Sequence, residues 1–267
     1  MTVFFHELKR GRLSLIIWTA AISFMLAVTI LIFPQMKPQM DDMDKMVANM
    51  GTLSSAFGMD KMGMSEFINY FALECGNILG LGGALFAALL GVSALAKEEK
   101  EHTAEFLYTL PLSRSGIVLQ KLLAVAVQII ILNIFTAGCT LGCIYAIGES
   151  VEAEVMLPLM LSYLLLQLET AMLCFGISAF LRGNGLGLGL GLALGLYFLN
   201  LISNITEDAK ALKYITPFSY AEGSDIIANH SIEPKYLAAG TVMSALAVAA
   251  AFLKYRKKDL AAYTNLK

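Results

Sequence analysis

Glu169 is the residue whose position most suggests chemistry. It lies near the middle of the apolar run Met156–Leu181, beside Gln167 and Thr170, and Asn133 lies near the middle of the run Leu119–Ile147. An ionisable side chain at that depth in a bilayer is costly and is a functional candidate by default. Consecutive antiparallel spans put Glu169 and Asn133 at similar depth. One reading is a buried polar clasp in which a neutral Glu169 donates a hydrogen bond to Asn133. The other is substrate contact or a proton relay.

A second group lies in the polar segment Lys97–Arg114. Thr103 is an N-cap by type, Glu105 favours the first helical turn, and Pro111 stops the helix. The spacing predicts a helix of about two turns. Phe106, Leu107 and Leu110 form its apolar stripe, rimmed by Glu98, Glu99, Glu101 and Glu105. A lipid-surface helix is the plain reading. The acid argues against it, because the cytoplasmic leaflet is itself anionic, and it suits a protein partner better.

Glycines dominate Arg182–Gly195. On a helix they fall on two lines four residues apart, Gly183, Gly187, Gly191 and Gly195 on one and Gly185, Gly189 and Ala193 on the other. Such a face lets another helix approach closely, either within the chain or from a second copy. Met36, Met40, Met43, Met46 and Met50 share one helical face in the segment Pro34–Glu74. Packing, contact with an apolar substrate and Cu(I) binding are the readings for that stripe, with no Cys or His beside it to support copper. Cys75, Cys139, Cys143 and Cys174 lie in apolar runs without a CxxC pair, so no disulfide framework or zinc site is indicated. No metal site is assigned.

The elements that position these residues are apolar runs long enough to cross a bilayer. Six stand out, Leu13–Phe33, Cys75–Ala96, Leu119–Ile147, Met156–Leu181, Gly185–Ile202 and Tyr236–Leu253. In lipid each must satisfy its own backbone, so each is read as a helix. The composition agrees, with 57% hydrophobic and 15% charged residues. The fold class is an all-α polytopic membrane protein with six transmembrane helices, and residues 1–267 form a single transmembrane domain. Of the 19 Lys and Arg, only Lys37, Lys45, Lys61, Lys210, Lys213 and Lys235 fall outside if both termini are cytoplasmic. The positive-inside rule therefore places both termini in the cytoplasm. The first run ends at Phe33-Pro34 with no small-x-small cleavage site and is read as a retained span rather than a signal peptide. A net charge of -2 gives no reason to expect nucleic acid.

The segment Glu98-x-x-x-x-Thr103-Ala-Glu-Phe-Leu-x-Thr-x-Pro-x-Ser-Arg114, followed by Lys121, resembles the coupling-helix region of ABC type-2 permeases. His6-Glu-Leu-Lys9 resembles their amphipathic entry helix. Thr216-Pro-Phe-Ser-Tyr220 with Asp225-Ile-Ile227 resembles the outer segment before their last span, and Arg256-Lys-Lys-Asp-Leu260 their basic tail. His102 departs from the glycine common at that position. The resemblance implies the permease subunit of an ABC exporter at a bacterial-type plasma membrane. It implies no cofactor on this chain, with ATP and magnesium on a separate ABC ATPase subunit, and a second permease copy or paralogue as partner. Thr103, Glu105, Phe106, Leu107, Leu110, Pro111 and Arg114 would then couple the spans to the ATPase.

No Walker A motif occurs, so nothing in the chain itself suggests nucleotide hydrolysis. The spans also lack His-Glu-x-x-His, paired aspartates and a Ser-His pair at matching depth, which argues against an intramembrane enzyme. The rival function is a proton-coupled secondary transporter that uses Glu169.

Overall fold

The computed structural model describes residues 2–48, 66–97, 112–181, 183 and 185–257. All their regular structure is helical. Six helices are long and apolar enough to cross a membrane. We label them with the one short helix between them: α1 (Thr2–Ala48), α2 (Phe67–Ser93), α3 (Arg114–Ile147), α4 (Ala153–Ser178), α5 (Leu186–Ile205), α6 (Gly223–Asn229) and α7 (Pro234–Lys257). Two 3-10 turns, Glu207–Tyr214 and Pro217–Ala221, join α5 to α6.

Two sequence expectations change at α1. The entry segment around His6–Lys9 is no separate helix but the first turns of α1, which runs unbroken into the first span. The helix also does not end at Pro34, because α1 continues through Pro34 and Pro38 to Ala48. Each proline removes one backbone donor from the helix. Packing on the far side compensates. Phe33 and Met40 are buried, and Phe33 meets Phe67 edge-to-face and Tyr70 at a tilt, at ring distances of 5.1 and 5.0 Å. Of the methionine stripe, Met40 is buried and Met36 packs against the same core.

Helix α4 is the centre of the bundle. It packs against α2 on one side and α7 on the other, while α1 packs on α3 and α5 on α2. Small residues set these approaches. A methyl group at Gly91 would strike the Ala171 carbonyl of α4, and one at Gly176 would lie 2.7 Å from the Ala247 side chain of α7. Helix α2 is not regular, with π turns at Phe71–Cys75 and Ile78–Gly82. Such turns insert a residue into the helix and redirect the side chains that follow.

Cross-helix bonds define two ends. Glu7 meets Lys121, and the Arg114 guanidinium donates to the Arg256 carbonyl at 3.1 Å, so the starts of α1 and α3 and the end of α7 share the terminal end. Lys37 pairs with Glu149 at 2.8 Å at the distal end.

Candidate functional site

At the terminal end three helices converge on one carboxylate. Glu7 of α1 pairs with Lys97, just past α2, and with Lys121 of α3, whose ammonium also donates to the Ala94 carbonyl at 2.7 Å. Lys121 is only 1% exposed, so this charge is held inside the protein by its partners rather than by water. A cavity of about 290 Å³ opens beside the cluster, lined in part by Arg10, Ser14, Ser93 and Gln128.

Of the coupling residues expected from sequence, Thr103, Glu105, Phe106, Leu107, Leu110 and Pro111 lie outside the described residues. Arg114 opens α3, and the Ser113 side chain caps that helix by accepting from the Gly116 amide at 3.1 Å. The segment between residues 97 and 114 is therefore fastened at both ends. Its first end is tied through Lys97 to α1, and its second through Arg114 to α7.

The intramembrane polar residues do not pair as expected. Asn133 donates to Gln167 Oε1 at 2.7 Å, and Gln167 donates onward to the Leu79 carbonyl of α2 at 3.1 Å. Glu169 accepts instead from Thr241 Oγ1 of α7 at 3.0 Å, and Ser244 donates to its backbone carbonyl at 3.4 Å. The reason is helical geometry. Two residues of helix turn the side chain by about 200°, so Gln167 faces α2 and α3 while Glu169 faces α7. A methyl group at Gly240 would collide with the Glu169 carboxylate. The Tyr220 hydroxyl and Glu169 Oε2 lie close together, yet neither has a partner of ordinary hydrogen-bond geometry. Burial, and then the neighbouring carboxylate, raises the Tyr220 phenol well above its usual range and keeps it a donor.

The two glycine lines part company, and Gly183 and Gly185 precede α5, with Gly185 as its N-cap, instead of lying on the helix. Gly189 packs on Val92 and the Ala88 carbonyl of α2, Gly185 on Val92, and Ala193 is fully buried. Gly183, Gly187, Gly191 and Gly195 have nothing within 4 Å of the position a Cβ would take. Leu188 and Phe198 flank this open line and are more than half exposed.

The distal end is closed by the chain between α5 and α7. All five residues Pro217–Ala221 are buried. Thr216 accepts from the Phe218 amide and donates to the Leu196 carbonyl at 2.8 Å, which anchors the turn on α5. Behind it lies a cavity of about 60 Å³ whose polar lining includes Asn77, Tyr163, Asn200, Glu222 and Ser224.

Sequence reasoning missed the Glu7–Lys121 pair, Gln167 as the partner of Asn133, and Glu222. Gln167 lies two positions from Glu169, and counting helical turns separates their faces. The other two depend on contacts between remote segments that no local spacing encodes.

The family model described as ABC-2 family transporter protein matches residues 1–260. No curated protein matches the chain. With six helices able to span a membrane, a multi-pass architecture and a match over almost the whole sequence, the chain belongs to the ABC-2 family of transporter proteins, whose members are the membrane permease component of ABC transporters.

Proposed function

We propose that this chain is the permease of an ATP-driven exporter, with both termini cytoplasmic and the segment Lys97–Arg114 seated on a separate ATPase subunit. The observation that carries the reading is the fastening of that segment at both ends. A push on it would reach α1 through Lys97 and Glu7, and α7 through Arg114. A loop tied to one helix only would yield without moving the bundle. The family assignment supplies the ATPase as a class of partner. Glu169 faces α7 and accepts from Thr241, which favours a packing role for it over the proton-coupled alternative.

A pair of permeases completes the reading. The open line Gly187, Gly191 and Gly195, with Gly183 just before the helix, is a second small-residue face on a helix whose first is already used internally. Close backbone approach by another helix is what such a face serves in lipid.

The test is co-expression of the Phe106→Ala/Leu107→Ala variant with an ABC ATPase that co-purifies with the wild type. Truncating buried anchors of an interface typically costs about 2 kcal/mol or more. Lost co-purification, or hydrolysis no longer linked to transport, is expected. Unchanged assembly and coupling would refute the seating of this segment.

A further inference from the structure

The cavity at the distal end has a composition that the transporter reading does not require. Its walls come from the π-helical part of α2, from α4, from α5, from Phe218 and Ala221 of the buried turn, and from the start of α6. Three polar atoms at its walls lack a hydrogen-bond partner, the Tyr163 hydroxyl, Asn200 Oδ1 and Ser224 Oγ. Their residues are 2%, 6% and 4% exposed, so bulk water does not satisfy them. Leaving such atoms unpaired costs about 1–3 kcal/mol each, and three around one void call for an occupant.

The polarity of the lining selects the occupant. Glu222 Oε2 accepts from Asn200 Nδ2 at 3.2 Å and from Asn204 Nδ2 at 3.0 Å. That contact fixes the Asn200 amide, because a flip would set oxygen against carboxylate, and it leaves Oδ1 as an acceptor. Asn77 also presents an acceptor, which receives the Tyr197 hydroxyl at 3.3 Å. No Lys, Arg or His lines the cavity, and Glu222 has no ion-pair partner among the described residues. Aromatic rings of Tyr163, Tyr197 and Phe218 form part of the wall, and the last two meet edge-to-face at 5.4 Å. Acceptors, one uncompensated carboxylate and aromatic faces together suit a cation that donates hydrogen bonds. A single carboxylate is a poor cage for a divalent ion, which takes more oxygen charge. A volume of about 60 Å³ exceeds the ~15 Å³ that one water needs, so it admits a small ammonium head but not a bulky one.

We propose that this cavity binds a primary ammonium group, with Glu222 as its counter-charge and Asn200 Oδ1, Tyr163 and Ser224 as hydrogen-bond acceptors. The group is carried either by a soluble amine or by an aminophospholipid headgroup. The site does not depend on ATPase coupling, so its failure would leave the permease reading intact.

The probe is methylammonium, titrated against the full chain in phosphatidylglycerol nanodiscs and read by broadening of its methyl proton resonance. Saturable broadening is expected, reversed neither by potassium chloride at equal ionic strength nor by tetramethylammonium, which has no N–H to donate. Glu222→Gln should weaken binding about tenfold or more, because a charge-assisted hydrogen bond is lost. Ser224→Ala keeps the Glu222–Asn200–Asn204 contacts and should weaken binding by a smaller factor, which covers the case of a misfolded Glu222→Gln. Suppression of binding in phosphatidylethanolamine nanodiscs would identify the headgroup as the source, and unchanged binding there a soluble amine. Absence of saturable broadening in the wild type would overturn the proposal. So would equal competition by potassium or tetramethylammonium, or unchanged affinity in both variants.

Discussion

The Lys121 ammonium donates to Glu7 Oε1 at 3.0 Å across 114 positions of sequence, and Lys97 bonds the other oxygen of the same carboxylate. One acid thereby joins the starts of α1 and α3 to the end of α2. Both members of the Glu7–Lys121 pair are buried, which makes the bond a conditional stabiliser. Two charges taken from water tolerate each other only while both are present.

Removing Glu7 alone should therefore hurt more than removing Glu7 and Lys121 together. Lys121→Met leaves Lys97 to compensate Glu7 and should be the milder single change. Glu7→Met takes from the enclosed Lys121 ammonium and from Lys97 the carboxylate they share, and should cost about 3 kcal/mol. The Glu7→Met/Lys121→Met double variant should recover part of that loss. Thermal unfolding midpoints in one detergent would measure the cycle, and additive effects would count against direct coupling.

Much of this architecture was legible because lipid imposes one rule on every span. Runs of apolar residues such as Met156–Leu181 must become helices, and the structure has α4 there at Ala153–Ser178. What composition could not supply was the end of each helix. Pro34 is a stop signal in water, but Phe33 and Met40 are buried on either side of it and packing carries α1 onward. The run in which each lies marks Asn133 and Glu169 as mid-helix residues, but their azimuth about the helix axis decides their partners. The glycine lines were visible as periodicity. Which line packs within the chain depends on α2, and no local pattern in α5 encodes that.

Glu169 of α4 accepts a hydrogen bond from Thr241 of α7, and the expectation that it serves packing can be tested. Glu169→Gln keeps an acceptor for Thr241 and should preserve both folding and transport. Glu169→Leu removes the bond from Thr241, whose hydroxyl keeps the Leu237 carbonyl at 2.8 Å, and takes the carboxylate away from the buried Tyr220 phenol, so it should cost about 1–3 kcal/mol. Gly240→Ala should be at least as damaging, since the added methyl collides with the carboxylate. Stability of the three variants by thermal unfolding, alongside a transport assay, is the check. Loss of transport in a stable Glu169→Gln protein would revive a proton role.

The two glycine lines predict different failures. Gly189→Leu must displace Val92 and approach the Ala88 carbonyl, so the isolated chain should be destabilised. At Gly187 and Gly191 no described residue lies within 4 Å of a Cβ, so Gly187→Leu and Gly191→Leu should leave the stability of the isolated chain unchanged while weakening the permease pair. Unfolding temperature and cross-linking yield between single cysteines on α5 separate the two effects. Full cross-linking in the Gly191→Leu protein would mean that this face is not the contact.

Arg114 separates docking of the polar segment from transmission of its movement. Its guanidinium donates to the Arg256 carbonyl near the end of α7, while the apolar residues expected to meet the ATPase are Phe106, Leu107 and Leu110. Arg114→Ala removes the link to α7 without touching those anchors. The variant should therefore retain the ATPase on co-purification and retain its hydrolysis rate, yet move less substrate per ATP. Phe106→Ala should lower co-purification first. The bond is exposed at the protein surface, and such contacts contribute about 1 kcal/mol or less to stability, so folding should survive the change. Measuring ATPase recovery, hydrolysis and transport on both variants gives distinct patterns for a lost seat and a lost lever. Identical patterns from the two variants would show that Arg114 belongs to the docking surface itself, and the path from the segment to α7 would have to be abandoned.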